Sequence, residues 1–140
     1  MPRIHVEVVV AEGVTDNALR AGAGHYPTSP FPGEAGNVAL AVQNVGGELG
    51  AAVRQLRRAD RVQLSSPFAT YSYAVSSGFL GHGNPWTISA DDFTVIKQPL
   101  TGHVFLLTLT APVAGHPNQR IAVRASLVPP SASSPCHFTR

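Results

Sequence analysis

The chain has 140 residues, 44% of them hydrophobic and only 13% charged, with a formal net charge of +2. That length suits one domain with a real core, and so low a charge content excludes a disordered chain. Ten Lys and Arg against eight Asp and Glu place the isoelectric point near 9.1, an excess too small to mark a nucleic-acid binder.

Most of the chain reads as strands. IHVEVVV (4–10) alternates, with Ile4, Val6, Val8 and Val10 on one face. TDNALRA (15–21) reads as a short helix, capped by Thr15 or Asp16 and stopped by Gly22. NVALAVQ (37–43) reads as a short apolar strand. ELGAAVRQLRR (48–58) sets Leu49, Val53 and Leu56 on one helical stripe, with Arg54, Arg57 and Arg58 off it. With Arg61, those arginines read as a solvated face.

RVQLSS and TYSYAVSS, split by Pro67-Phe68, read as a hairpin. The loop SGFLGHGNPW follows. Its Phe79, Leu80 and Trp86 are expected to cap one end of a barrel, the alternative being an exposed sticky surface. FTVI (93–96) reads as a short strand. HVFLLTLT (103–110) and RIAVRASLV (120–128) are the longest strand candidates and are expected to pair. The Pro- and Ser-rich end, PPSASSPCHFTR, reads as a tail, giving a domain over 1–128 and a tail over 129–140. Many short strands between turn residues point to an all-β barrel or sandwich.

The single Cys136 excludes an internal disulfide. No apolar run approaches the ~20 residues that span a bilayer, and no signal peptide is visible. The opening Met-Pro fits both an ectodomain freed of an anchor and a cytosolic protein. The six histidines are scattered, without metal-ligand spacing, and Asp91-Asp92 is the one acidic pair. That pair reads as a turn or helix cap, since a calcium ion takes six to eight oxygens. No metal or cofactor is expected.

The order of motifs carries more. EGVTDNALRAGAGHYPTSPFPGEAGNVALA resembles the N-terminal half of a class E-type sortase domain. The matching pieces are Gly13-Val14, Leu19, Gly22, Gly24-His25-Tyr26-Pro27, Pro32-Gly33-Glu34, Gly36-Asn37 and Leu40-Ala41. Leu56 to Val75 resembles that family's central hairpin, and LLTLT (106–110) with RIAVRASLV resembles its last two strands. The resemblance covers roughly residues 4–128. It implies a sortase-like closed β-barrel, all-β and mostly antiparallel, of about eight strands, with two short helices.

Sortases are cysteine transpeptidases that use a Cys nucleophile, a His and an Arg. A thiolate attacks the peptide carbonyl, an acid protonates the leaving amine, and a cation steadies the substrate oxygen. By the resemblance, Gln43 stands where the His is expected, and a carboxamide exchanges no proton near neutral pH. Pro112 stands at the Cys position after Leu107-Thr108-Leu109-Thr110. A second register, set by His116-Pro117, puts Gly115 there instead. Neither supplies a thiol. Arg120 matches the family Arg.

Losing one member of such a unit already removes most of its catalysis. The altered neighbours Val42, Asn44 and Val113 read as drift after the chemistry was lost. Cys136 beside His137 lies in the tail, and Thr108 or Thr110 would need a base among His25, His103 and His116. The Thr residues read more simply as strand residues, His25 as a structural hydrogen-bonding residue, and His82 as part of a Gly-rich loop.

The expectation is a catalytically inactive sortase homologue on the surface of a high-GC Gram-positive bacterium, membrane-attached only through an anchor absent from this chain. Its expected partners are a sorting-signal-like peptide, a cell-wall component or a surface protein, and not nucleic acid. The candidate ligand-binding residues are Arg120, Gln43, His116 and Trp86. An assembly module is the second form of this reading. The runner-up is an active transpeptidase or hydrolase with a displaced nucleophile.

Overall fold

A computed structural model describes residues 1–2, 6–20, 22–42, 52–76, 83–99, 104–113 and 115–129. The strands are β1 (Val9–Glu12), β2 (Gly22–His25), β3 (Gly36–Val42), β4 (Arg61–Ser65), β5 (Thr70–Val75), β6 (Trp86–Ser89), β7 (Phe105–Val113) and β8 (His116–Leu127). Helix α1 spans Asp16–Leu19, a 3-10 turn spans Thr94–Ile96, and residues 52–54 are helical.

The sheet runs β1-β2-β3-β7-β8-β5-β4, with β6 pairing β8 off that path. β1–β2 and β3–β7 are parallel and the other pairs antiparallel. Among the described residues no ladder joins β1 to β4. The expected closed barrel is therefore corrected to an open, curled half-barrel. Closure needs backbone pairing between the two end strands, and β1 and β4 instead flank a cavity.

Alternation builds the core. Val38, Leu40 and Val42 of β3, Leu107, Leu109 and Ala111 of β7, and Ile121, Val123 and Ala125 of β8 share the concave face. Val53 and Leu56 join them, as their helical spacing implied, while Arg54, Arg57, Arg58 and Arg61 are exposed. Leu49 lies outside the described residues. Tyr73 is fully buried, and its hydroxyl accepts the Gly33 N–H at 3.0 Å.

Several local expectations shift. Of the first predicted strand, Val9 and Val10 join the ladder to β2, which runs on to Glu12, and Ile4 lies outside the described residues. Thr15 caps α1, its Oγ1 accepting the Ala18 N–H at 3.3 Å. GAGH forms β2, unforeseen because glycine disfavours strands. It is needed there for close approach: a Cβ on Gly24 would lie 2.1 Å from the Gly13 carbonyl oxygen. FTVI is not a strand. Asp92 Oδ1 accepts the Thr94 N–H at 3.0 Å and the Thr94 hydroxyl, which turns the chain and presses Val95 onto Ile88 and Ala122 of the convex face.

The long β8 passes from one neighbour to another along its edge. It pairs β6 over Gln119–Ala122 and β5 over Ala125–Leu127. Between them, the Asn84 side chain accepts the Arg124 N–H at 3.0 Å and donates to the Arg124 carbonyl at 2.7 Å. An amide side chain thus replaces one rung of the ladder.

Candidate functional site

Of the residues singled out by the motif order, Pro112 and Arg120 meet at one end of β7 and β8. Pro112 is the penultimate residue of β7 and lies opposite Arg120 of β8. The register shifts between Pro112 and Val113, so that Val113 pairs with His116. Proline lacks a ladder N–H and is tolerated at such an irregularity. Gly115 turns the hairpin with φ +77°, beyond the Pro112–Arg120 rung.

Arg120 is half-buried between two strands, with Pro112 on one side and Ile88 of β6 on the other. Its Nε is buried and finds no acceptor among the described residues. A guanidinium donor without an acceptor is costly unless a ligand or water satisfies it. Trp86, two residues before Ile88, packs on Ile88, Val95 and Ala122. It covers the convex face beside Arg120 and is half-buried, whereas the expected cap on a barrel end involved Phe79 and Leu80 as well. His116 is exposed four residues before Arg120. Gln43, Phe79, Leu80, His82, His103 and Cys136 lie outside the described residues.

The threonines of β7 are committed elsewhere. Thr108 Oγ1 donates to Asn37 Oδ1 at 2.8 Å and accepts from Arg124 Nε at 2.9 Å. Thr110 Oγ1 lies 3.5 Å from the Leu40 carbonyl. Both are buried, with no histidine bonded to them among the described residues. Arg124 also donates from Nη2 to the Val95 carbonyl at 3.2 Å. Burial strips water from its guanidinium and pushes the pKa down to about 10. Asn37 is the hub. Its Nδ2 donates to the Val95 carbonyl at 2.9 Å and the Lys97 carbonyl at 3.3 Å, fastening the 3-10 turn to the sheet.

A second cluster has the outline of a catalytic relay. His25 Nδ1 lies 2.8 Å from Glu12 Oε1, and its Nε2 lies 3.0 Å from Ser29 Oγ. Proton accounting gives it a different role. Nε2 also faces the Pro30 carbonyl at 2.8 Å, so it donates and is not free to act as a base. Ser29 Oγ accepts the Ala39 N–H at 3.1 Å and donates to the Tyr26 carbonyl at 2.9 Å. Phe31 stacks on the imidazole, with centroids 4.9 Å apart. The cluster ties β1, β2 and the following turn together. No sequence pattern other than the GHYP run marked it.

A cavity of about 1130 Å³ lies away from Pro112 and Arg120. It opens at the seam between β1 and β4, and His25 and Phe31 stand at its wall.

A mostly β, curled half-barrel sheet of this kind matches the sortase fold. Among similar structures, sortase E from Streptomyces avermitilis superimposes with a TM-score of 0.75 at 27% identity, covering 91% of this chain and 84% of that one. A Clostridium perfringens sortase D5 transpeptidase gives 0.76 at 22% identity, covering 91% and 75%. Listeria monocytogenes sortase A gives 0.74 at 21%, covering 91% and 83%. No curated protein sequence matches the chain significantly. The sortase domain profile matches residues 1–128, and the chain belongs to that family.

Proposed function

We propose that this domain is a catalytically silent, class E-like sortase that binds an extended peptide or a surface protein at the end of β7 and β8. The observation that carries this reading is the Pro112–Arg120 rung. The residue facing the cation that a transpeptidase would use has neither a nucleophile nor an N–H. Gln43, one residue after β3 ends, has no group acidic enough to protonate the leaving amine near neutral pH. Cys136 lies in the Ser/Pro tail, past the residues matched to the family.

Binding remains chemically open to such a site. The Arg120 Nε needs an acceptor, which a peptide carbonyl or carboxylate supplies. Trp86 offers an apolar wall, and His116 and Gln43 offer polar contacts at the rim. A sorting-signal-like peptide, a cell-wall component or a surface protein of a Gram-positive bacterium is the ligand class this chemistry fits. A domain that holds such a ligand without cutting it serves as a receptor or assembly module.

The test is incubation of the full chain with a sorting-signal-like peptide, read by intact-mass spectrometry and by amide chemical shifts. The expected result is no covalent adduct, with peptide-induced shifts that weaken at least about tenfold in Arg120→Ala and persist in Cys136→Ala. A covalent adduct that vanishes in Cys136→Ala overturns the reading.

A further inference from the structure

We infer that the exposed side of residues 54–65 is a docking strip for a linear, phosphodiester-linked polyol chain, a hydroxylated polymer with one negative charge per repeat. The strip lies on β4 and the segment leading into it, apart from the Pro112–Arg120 rung. Burial sorts this stretch into two sides. Leu56, Asp60, Val62 and Leu64 are buried, and every other residue from 54 to 65 is exposed. The exposed side holds four Arg, two Gln, one Ala and one Ser. Four of the chain's ten Lys and Arg residues thus stand between positions 54 and 61.

No carboxylate shares that side. The one acidic residue of the stretch, Asp60, is buried, and its Oδ2 accepts the Arg57 N–H at 3.0 Å. Among the described residues, Arg54, Arg57 and Arg58 enter no ion pair. Arg61 donates from Nη1 to Ser72 Oγ at 3.4 Å. The backbone under these cations is already fixed. Ala59 N–H bonds the Val75 carbonyl and Val75 N–H bonds the Asp60 carbonyl, both at 2.9 Å, with Ala59 at φ +73°. Two residues therefore oppose one of β5, a bulge that clamps the Arg57–Arg58 turn. A ligand meeting this turn has no loop to order.

What the strip lacks narrows the partner. Single-stranded nucleic acid is held on aromatic platforms, a lipid surface by apolar side chains that enter it, and a folded protein by an apolar interface core. The exposed side of 54–65 has no aromatic residue and no apolar residue larger than Ala59. Phe68, 95% exposed, stands at the hairpin tip beyond Ser65, which is itself about 13 Å along the strand from Arg61. The strip continues instead into hydrogen-bonding groups, Ser72 and Thr70 of β5 lying opposite Gln63 and Ser65. A row of cations followed by hydroxyl and amide groups complements a flexible chain that carries both anions and hydroxyls. Phosphodiester suits it better than carboxylate. Guanidinium is weakly hydrated, and a phosphodiester spreads its charge over a larger group, so this pair gives up its water at the smaller cost.

The test titrates the full chain with a synthetic glycerol phosphate oligomer and follows amide chemical shifts and affinity against salt. The expected result is saturable binding with shifts over 54–65, and a log–log salt slope of about 3 for four cations. The double variant Arg57→Gln, Arg58→Gln weakens binding at least about tenfold and lowers the slope by roughly one per cation removed. Both side chains are exposed, and an unchanged melting temperature shows that the fold is intact. Arg20→Gln, an exposed arginine just after α1, and Phe68→Ala leave affinity within about twofold. Absence of binding overturns the inference. An equal loss in Arg20→Gln also overturns it, because net charge would then explain the binding. Tighter binding of a polyuronate, a single-stranded oligonucleotide or phosphatidylglycerol vesicles overturns it as well, as does a loss in Phe68→Ala.

Discussion

Pro112 and Arg120 face each other across the β7–β8 ladder. On the function proposed above, this rung holds proline where a transpeptidase would carry a thiol beside a guanidinium. Pro112→Cys is expected to place a thiol next to that cation. A neighbouring Arg lowers a thiol pKa, and a one-unit fall raises the thiolate fraction at pH 7 by about tenfold. Iodoacetamide should therefore label the new thiol about tenfold faster than Cys136, as followed by mass spectrometry. Peptide cleavage should remain undetectable, because Gln43 supplies no proton. Turnover by the single variant would show that the missing nucleophile was the whole defect.

The Glu12–His25–Ser29 chain should behave as a brace. A serine-directed fluorophosphonate is expected to leave Ser29 unlabelled, since its hydroxyl is buried and donates to the Tyr26 carbonyl. His25→Ala removes the bonds to Glu12 and Pro30 and the stacking with Phe31. Urea unfolding should show a loss of about 3 kcal/mol. Labelling of Ser29 that disappears in His25→Ala would make the cluster catalytic.

Asn37 should cost as much. It is fully buried and satisfies Val95, Lys97 and Thr108 at once. Asn37→Leu strands the Lys97 carbonyl and the Thr108 hydroxyl proton and leaves the Val95 carbonyl to Arg124 alone, for an expected loss of about 3 kcal/mol. Amide exchange over Thr94–Ile96 should accelerate in the same variant, because the turn loses its fastening to β3. Unchanged exchange there would mean that Val95 packing, with the Arg124 bond to its carbonyl and the Gln98 bonds to the Asn37 backbone, holds the turn without the Asn37 side chain.

Asp92 provides a pH readout. The Thr94 hydroxyl and N–H hold its carboxyl below the ordinary 3.8. A depressed carboxyl stabilises the fold while ionised. That stabilisation is fully present above pH 3.8 and is lost as the pH falls through the lower folded value. A carbon-detected titration should give a midpoint below 3.8 for Asp92, moving upward in Thr94→Val. A midpoint that does not respond to Thr94→Val would remove the hydroxyl as its cause.

Elements with strong alternation were readable in advance. The pairing of the 103–110 and 120–128 segments, and the hairpin across Pro67-Phe68, follow from period-two hydrophobicity with turn residues between. Val53 and Leu56 followed from helical spacing. The glycine-bearing β2 was not readable, because its strand exists to let Gly24 approach Gly13 and not through any propensity of its own residues. WTIS was hidden in a loop-like context, although it supplies β6 and the wall beside Arg120. FTVI has strand-forming residues, but two hydrogen bonds from Thr94 to Asp92 and the Asn37 bond to Val95 outweigh that propensity.

The amino-acid order alone determined the family motifs and the inward-facing set of β3, β7 and β8, because those depend on residue identity and short spacing. Tertiary structure decided whether the sheet closes. The two end strands, β1 and β4, are some fifty residues apart, and their meeting depends on the summed curvature of the strands between them. Among the described residues that sum leaves β1 and β4 unpaired across a cavity, a feature that no local pattern of side chains encodes.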